Sequence, residues 1–175
     1  MRKLSVRCLK AAFLKMDFVF VYGTLKRNEP NHTWMEDKAF GYSQYICNGV
    51  TVEKYPLVIA TRYNIPFLLD VPGEGHNVTG EVYEIDSPKL QHLDVLERHP
   101  DYYVREMIEV QCGGKKVSAW VYLLREFRPH LLDEPFLEDY SSTGDHGKPY
   151  VERAERDSSY DVKKDVKLTN HKQFI

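Results

Sequence analysis

The spacing of apolar and polar residues changes several times along the 175-residue chain, and each change marks an element. Asp17-Phe18-Val19-Phe20-Val21 is a short apolar run rich in side chains that suit a pleated surface, with no helical punctuation. It predicts a buried strand that ends in a glycine turn, Tyr22-Gly23-Thr24-Leu25. Residues 55–61 predict a second short strand, and Gly80-Glu81-Val82-Tyr83-Glu84-Ile85 a third. Residues 105–112 and 116–123 flank Gly113-Gly114, a pair suited to the positive backbone angles of a tight hairpin turn, so they predict two antiparallel strands.

One helix stands out among these strands. Ser87-Pro88-Lys89-Leu90-Gln91-His92-Leu93-Asp94-Val95-Leu96-Glu97 opens on a good capping residue, has proline at the first helical position and repeats leucine at helical spacing. At about 100° per residue, Glu97 shares the face of Leu90 and Leu93. Desolvation there favours the protonated carboxyl and raises its pKa toward the range useful to a general base. Spacing alone favours a plainer reading, a glutamate that reaches solvent or pairs with Arg98 or Arg105. The turn at Gly23 is open in the same way. Glycine permits backbone angles closed to other residues and lets a ligand approach the amides, which can bind a carboxylate or a developing oxyanion, yet these residues alone favour a plain structural turn.

Composition sets the frame. At 42% hydrophobic and 29% charged, the chain can bury one sizeable core and has little room for a second domain. A net charge of -2, with no basic stripe interleaved with aromatics, argues against nucleic-acid binding, and no apolar run reaches membrane-spanning length. Cys8, Cys47 and Cys112 are odd in number and widely spaced, which predicts reduced thiols and a cytoplasmic setting. Residues 1–15 carry five basic side chains and no acid. They fit an organellar targeting segment or, better given their shortness, an unrelated N-terminal extension. Charged residues dominate 152–175, where a mobile tail or a frayed helix is expected, so the folded domain is predicted to span 16–151.

Other candidate chemistry is weaker. His92 and His99 are seven residues apart, but Pro100 interrupts the helix and no third ligand is spaced to join them, so no metal is expected. Asn77-Val78-Thr79 fits the glycosylation pattern, though it reads more simply as a turn before a strand. Asp133, His146, Ser141 and Ser142 can be drawn as a triad, but no nucleophile-elbow sequence supports one.

Val19-Phe20-Val21-Tyr22-Gly23-Thr24-Leu25-Lys26-Arg27, followed by Pro30-Asn31-His32, resembles the opening signature of the gamma-glutamylcyclotransferase-like superfamily, most closely its gamma-glutamylamine branch. Matching stretches follow in order: Tyr55-Pro56-Leu57-Val58-Ile59-Ala60, Asn64-Ile65-Pro66, Gly80-Glu81-Val82-Tyr83, Leu93-Asp94 with Glu97, Tyr103 with Arg105, and Tyr140 with His146-Gly147. The resemblance implies an α+β fold, a mixed and largely antiparallel β-barrel with a few short helices. It implies Glu97 as catalytic acid/base, Tyr22, Gly23, Thr24 and Leu25 as the substrate-binding loop, a small gamma-glutamyl substrate, and no cofactor. Tyr103 and Tyr140 fall in matching stretches and are candidates for the pocket wall.

The implied reaction closes 5-oxoproline by attack of the substrate's α-amine on its own gamma-carbonyl, with expulsion of an amine. Gamma-glutamyl-ε-lysine is the expected substrate and other gamma-glutamyl amino acids the nearest alternative, while a noncatalytic binding module on the same fold is the alternative of another class. Two departures bear on specificity. Asn28-Glu29 stands where relatives commonly place glycine, and residues 126–138, rich in charge and proline, are expected to shape the leaving-group side of the pocket.

Overall fold

The computed structural model describes residues 15–168, so expectations for the first fourteen residues and for 169–175 lie outside the described residues. Seven strands are formed among the described residues: β1 Met16–Val21, β2 Ser43–Thr51, β3 Leu57–Ala60, β4 Ile65–Leu68, β5 Thr79–Asp86, β6 Val104–Cys112 and β7 Lys115–Leu123. Five close into a barrel in the order β1-β5-β2-β6-β7, while β3 and β4 pair as a separate two-stranded sheet. Neighbours in the barrel run antiparallel except where β1 meets β7 in parallel, at Val19↔Trp120. The fold is therefore the α+β, largely antiparallel barrel that the family resemblance implies. Its helices are short: α1 Thr33–Glu36, α2 Ser87–Glu97 and α3 Lys163–Val166. No helix among the described residues is long and apolar enough to cross a membrane.

Local chemistry explains the elements that frame the site. Gly113 and Gly114 hold φ of 54° and 82°, the turn geometry that matches the twist of paired strands, and β6 and β7 align from Cys112↔Lys115 to Val104↔Leu123. Strand alternation divides the core. Val19, Val21, Tyr83, Ile85 and Tyr122 pack with Leu90 and Leu93 of α2, whereas Phe20, Val82, Val121 and Leu123 pack with Leu57 and Leu68 of the β3–β4 sheet. Gly80 is confined by this packing. A Cβ there would lie 2.5 Å from the Val21 carbonyl oxygen and 2.6 Å from the Phe20 ring.

Three expectations are corrected. The cap of α2 is Asp86, one residue earlier than Ser87: its carboxylate accepts the Lys89 N–H at 2.9 Å. Cys47 and Cys112 are not reduced thiols but a disulfide, with Cα atoms 6.1 Å apart, because β2 and β6 pair at Gly49↔Cys112 and bring the two cysteines together. That bond removes the thiol argument for a cytoplasmic setting. Residues 152–168 pack against the domain instead of trailing from it. Val151 N–H donates to the Tyr63 carbonyl, Arg62 and Asp157 form a 3.0 Å ion pair, and Val166 is fully buried. The apolar residues isolated in this segment find partners across the fold, which local composition does not reveal.

Candidate active site

The loop that follows β1 and the C-terminal end of α2 face one another across a cavity of about 270 Å³. Tyr22, Gly23, Thr24, Leu25, Glu97 and Tyr103 all line it. Two backbone hydrogen bonds hold the loop's shape: Lys26 N–H to Gly23 O at 3.1 Å and Asn31 N–H to Thr24 O at 2.9 Å. The Asn31 amide adds a donor bond to the Thr24 hydroxyl at 2.8 Å and another to the Tyr150 hydroxyl at 3.0 Å. The N–H groups of Gly23, Thr24 and Leu25 donate to no protein acceptor among the described residues, which leaves them for an oxygen in the cavity.

Gly23 serves the turn differently from the sequence expectation. Its backbone angle is not among the positive ones; what favours glycine is the close approach of Pro66, whose ring would stand 3.0 Å from an added Cβ. The positive angle belongs instead to Asn28, at φ 64°, a conformation that asparagine tolerates.

Glu97 is the last residue of α2, just before Arg98 turns into the left-handed region at φ 55° and ends the helix. Leu90 and Leu93 anchor the same face in the core. Of the basic partners that the plainer reading offered, neither Arg98 nor Arg105 forms an ion pair with Glu97 among the described residues, and Arg105 is engaged elsewhere: its guanidinium lies 2.5 Å from Asp94, which also accepts the Tyr122 hydroxyl at 2.8 Å. Tyr22 in turn donates to the Tyr122 carbonyl at 3.0 Å, so one chain of hydrogen bonds links the β1 loop to the helix that carries Glu97. Glu97 itself has no ion pair or side-chain hydrogen bond among the described residues. Protein surrounds its carboxyl although the residue stays partly open to the cavity mouth. That desolvation pushes its pKa up to about 7, against the opposing pull of the Arg153 cation.

Aromatic hydroxyls surround this carboxyl. Burial pushes the phenols of Tyr22, Tyr102 and Tyr103 up, and the nearby Glu97 charge adds to the shift, so all three are neutral donors over the working pH range. Tyr140 does not join them. It is fully buried in the second cluster with Phe20 and Leu57, and its carbonyl accepts the Lys26 ammonium at 2.6 Å. Residues 126–138 do not line the cavity either. A further part of the wall comes from Tyr150, Arg153, Arg156, Asp161 and Lys163, which the charged composition of that segment concealed. Asn31 was also missed as a site residue, although its position within Pro30-Asn31-His32 was a usable signal.

Comparison with known proteins agrees with this geometry. The family described as gamma-glutamyl cyclotransferase, AIG2-like, matches residues 19–142. The gamma-glutamylaminecyclotransferase of Mus musculus is 44% identical over 149 residues, covering 81% of this chain and all of the mouse protein. Gamma-glutamylaminecyclotransferase C of Danio rerio is 43% identical over 144 residues, covering 79% and 95% of the two chains. The crystal structure of an AIG2-like protein from Mus musculus superposes with a TM-score of 0.77 at 45% identity, over 81% of this chain and 99% of that one.

Proposed function

The chain belongs to the gamma-glutamyl cyclotransferase, AIG2-like family, and on that premise we propose that it is a gamma-glutamylamine cyclotransferase in which Glu97 moves the proton. The observation that carries the reading is an unpaired carboxyl with its pKa near 7, facing a loop of free backbone amides across a small cavity. The substrate α-amine enters as an ammonium ion. Glu97 takes a proton from it, and the freed lone pair attacks the gamma-carbonyl carbon to close a five-membered ring. The C–N bond to the leaving amine then breaks as the same carboxyl returns that proton to the departing nitrogen; the ring nitrogen gives up its second proton by the same route, which leaves a neutral lactam N–H and a released ammonium, so one residue acts as base and then as acid.

The remaining groups position charge. Free N–H groups of the loop 22–25 suit the substrate carboxylate or the oxyanion that develops on the carbonyl oxygen. The phenols of Tyr22 and Tyr103 narrow the cavity so that amine and carbonyl are held in reach of each other. No step needs a cofactor. The leaving amine we favour is lysine, released from gamma-glutamyl-ε-lysine, the isopeptide left when crosslinked proteins are degraded.

Purified protein incubated with gamma-glutamyl-ε-lysine, gamma-glutamyl-alanine and glutathione tests this directly. Release of 5-oxoproline, fastest from the lysine isopeptide, is the expected result. Binding of a gamma-glutamyl compound without product from any of the three would instead identify a noncatalytic binding module.

A further inference from the structure

The segment after Tyr150 brings three charged side chains to the cavity wall, and none of them is paired with an opposite charge among the described residues. Arg153, Asp161 and Lys163 all line the cavity, and none has an ion-pair partner within 4.0 Å among the described residues. The neighbouring charges are satisfied differently. Asp157 pairs with Arg62 at 3.0 Å, while Arg156 lies over the rings of Tyr63 and Tyr150 and donates to the Val151 carbonyl at 3.0 Å. Arg156 and Asp157 thus hold the segment in place, and Arg153, Asp161 and Lys163 are left to face whatever the cavity holds.

Their arrangement has a sign pattern. Asp161 uses one carboxylate oxygen to accept the Lys163 N–H at 3.1 Å, and its other oxygen has no protein partner. The Lys163 ammonium stands 5.5 Å from the centre of the Tyr102 ring, and the Tyr102 phenol also feels the Asp161 charge, so anion and cation flank one aromatic surface. Arg153 lies closer to Glu97, whose charge it influences. The cavity wall beside Glu97 therefore combines aromatic surface with one negative and two positive groups. A purely anionic leaving group is poorly served by Asp161, and a purely cationic one by Arg153 and Lys163.

We infer that residues 153–163 form the leaving-amine subsite, which takes an alkylamine ending in a zwitterionic α-amino acid head, with Asp161 receiving its ammonium and Lys163 and Arg153 its carboxylate. The inference rests on the cyclotransferase reading and adds to it the part of the site that chooses the amine. These are specificity contacts. They act on binding of the departing half and leave the ring-closing chemistry at Glu97.

Three substrates that share a gamma-glutamyl group and a five-carbon chain separate the contributions: gamma-glutamyl-ε-lysine carries both head charges, gamma-glutamyl-cadaverine the ammonium alone, and gamma-glutamyl-n-pentylamine neither. The readout is the ratio of kcat/KM values between substrates, measured on the full chain. Wild-type protein is expected to favour the lysine compound over the pentylamine compound, mainly through KM. Asp161→Asn should reduce that preference about three- to fivefold, the scale of a solvent-screened charge contact, and should reduce the cadaverine to pentylamine ratio similarly. Lys163→Met should reduce the lysine to cadaverine ratio and leave the cadaverine to pentylamine ratio in place. Asp161→Glu should recover most of the loss. Equal loss on all three substrates, or unchanged ratios in both variants, would overturn the subsite. Absence of 5-oxoproline from every substrate with wild-type protein would overturn the cyclotransferase reading itself, and the subsite with it.

Discussion

Glu97 is costly to the fold wherever it is ionised, and that cost is measurable. Below the ordinary carboxylate range both folded and unfolded chains hold the proton. As pH rises toward about 7 the unfolded chain ionises first, and above 7 the folded state bears the full penalty, at most about 3 kcal/mol for a shift of this size. Glu97→Gln should therefore raise thermal stability at pH 8 and leave it nearly unchanged at pH 4, a pattern that melting curves at the two pH values check. The same carboxyl sets the activity profile. As a base it must be ionised, so kcat/KM should climb with pH through about 7. Arg153→Gln removes the cation that opposes the shift, which raises the Glu97 pKa further and moves the climbing limb to higher pH. Helical phase makes Glu97 legible as an inward residue. It does not reveal that Arg105 is held by Asp94, the contact that removes the competing ion pair. Lys89 marks the limit of such reading: a lysine on an amphipathic helix is expected at the surface, yet this one is fully buried and donates to the carbonyls of Trp34, Met35 and Asp37.

Among elements, the β6–β7 hairpin is the most transparent in sequence, because Gly113-Gly114 encodes both the turn and the register. The segment 152–168 is the least transparent, since its few apolar residues are buried by partners that adjoin only after folding. Gly80 joins element to site. It sits on β5 against the last residues of β1, directly before the loop that begins at Tyr22. Gly80→Ala should force β1 away from β5, at a cost of about 1 to 3 kcal/mol, and should raise KM by displacing the loop amides. Chemical denaturation and steady-state kinetics on the same preparation separate the two effects.

Across the whole molecule, barrel closure depends on pairings no local pattern encodes: β1 with β7 at Val19↔Trp120, and β2 with β6 over the three residue pairs beginning at Gly49↔Cys112. The Cys47–Cys112 disulfide reinforces the second of these and closes a loop of 65 residues. Its reduction should lower stability by about 2 to 4 kcal/mol. Alkylation of the unreduced, denatured protein should accordingly label one of its three cysteines, and labelling of all three would show the bond to be absent. Closure also brings the β1 loop to Glu97, because both rest on the cluster built by Val19, Val21, Leu90 and Leu93. The claim that this convergence is a cyclotransferase centre is tested most directly by 5-oxoproline release from gamma-glutamyl-ε-lysine by folded Glu97→Gln beside the wild type. Turnover should fall by about two to four powers of ten while substrate binding persists, and a folded Glu97→Gln protein that forms 5-oxoproline at the wild-type rate would contradict it.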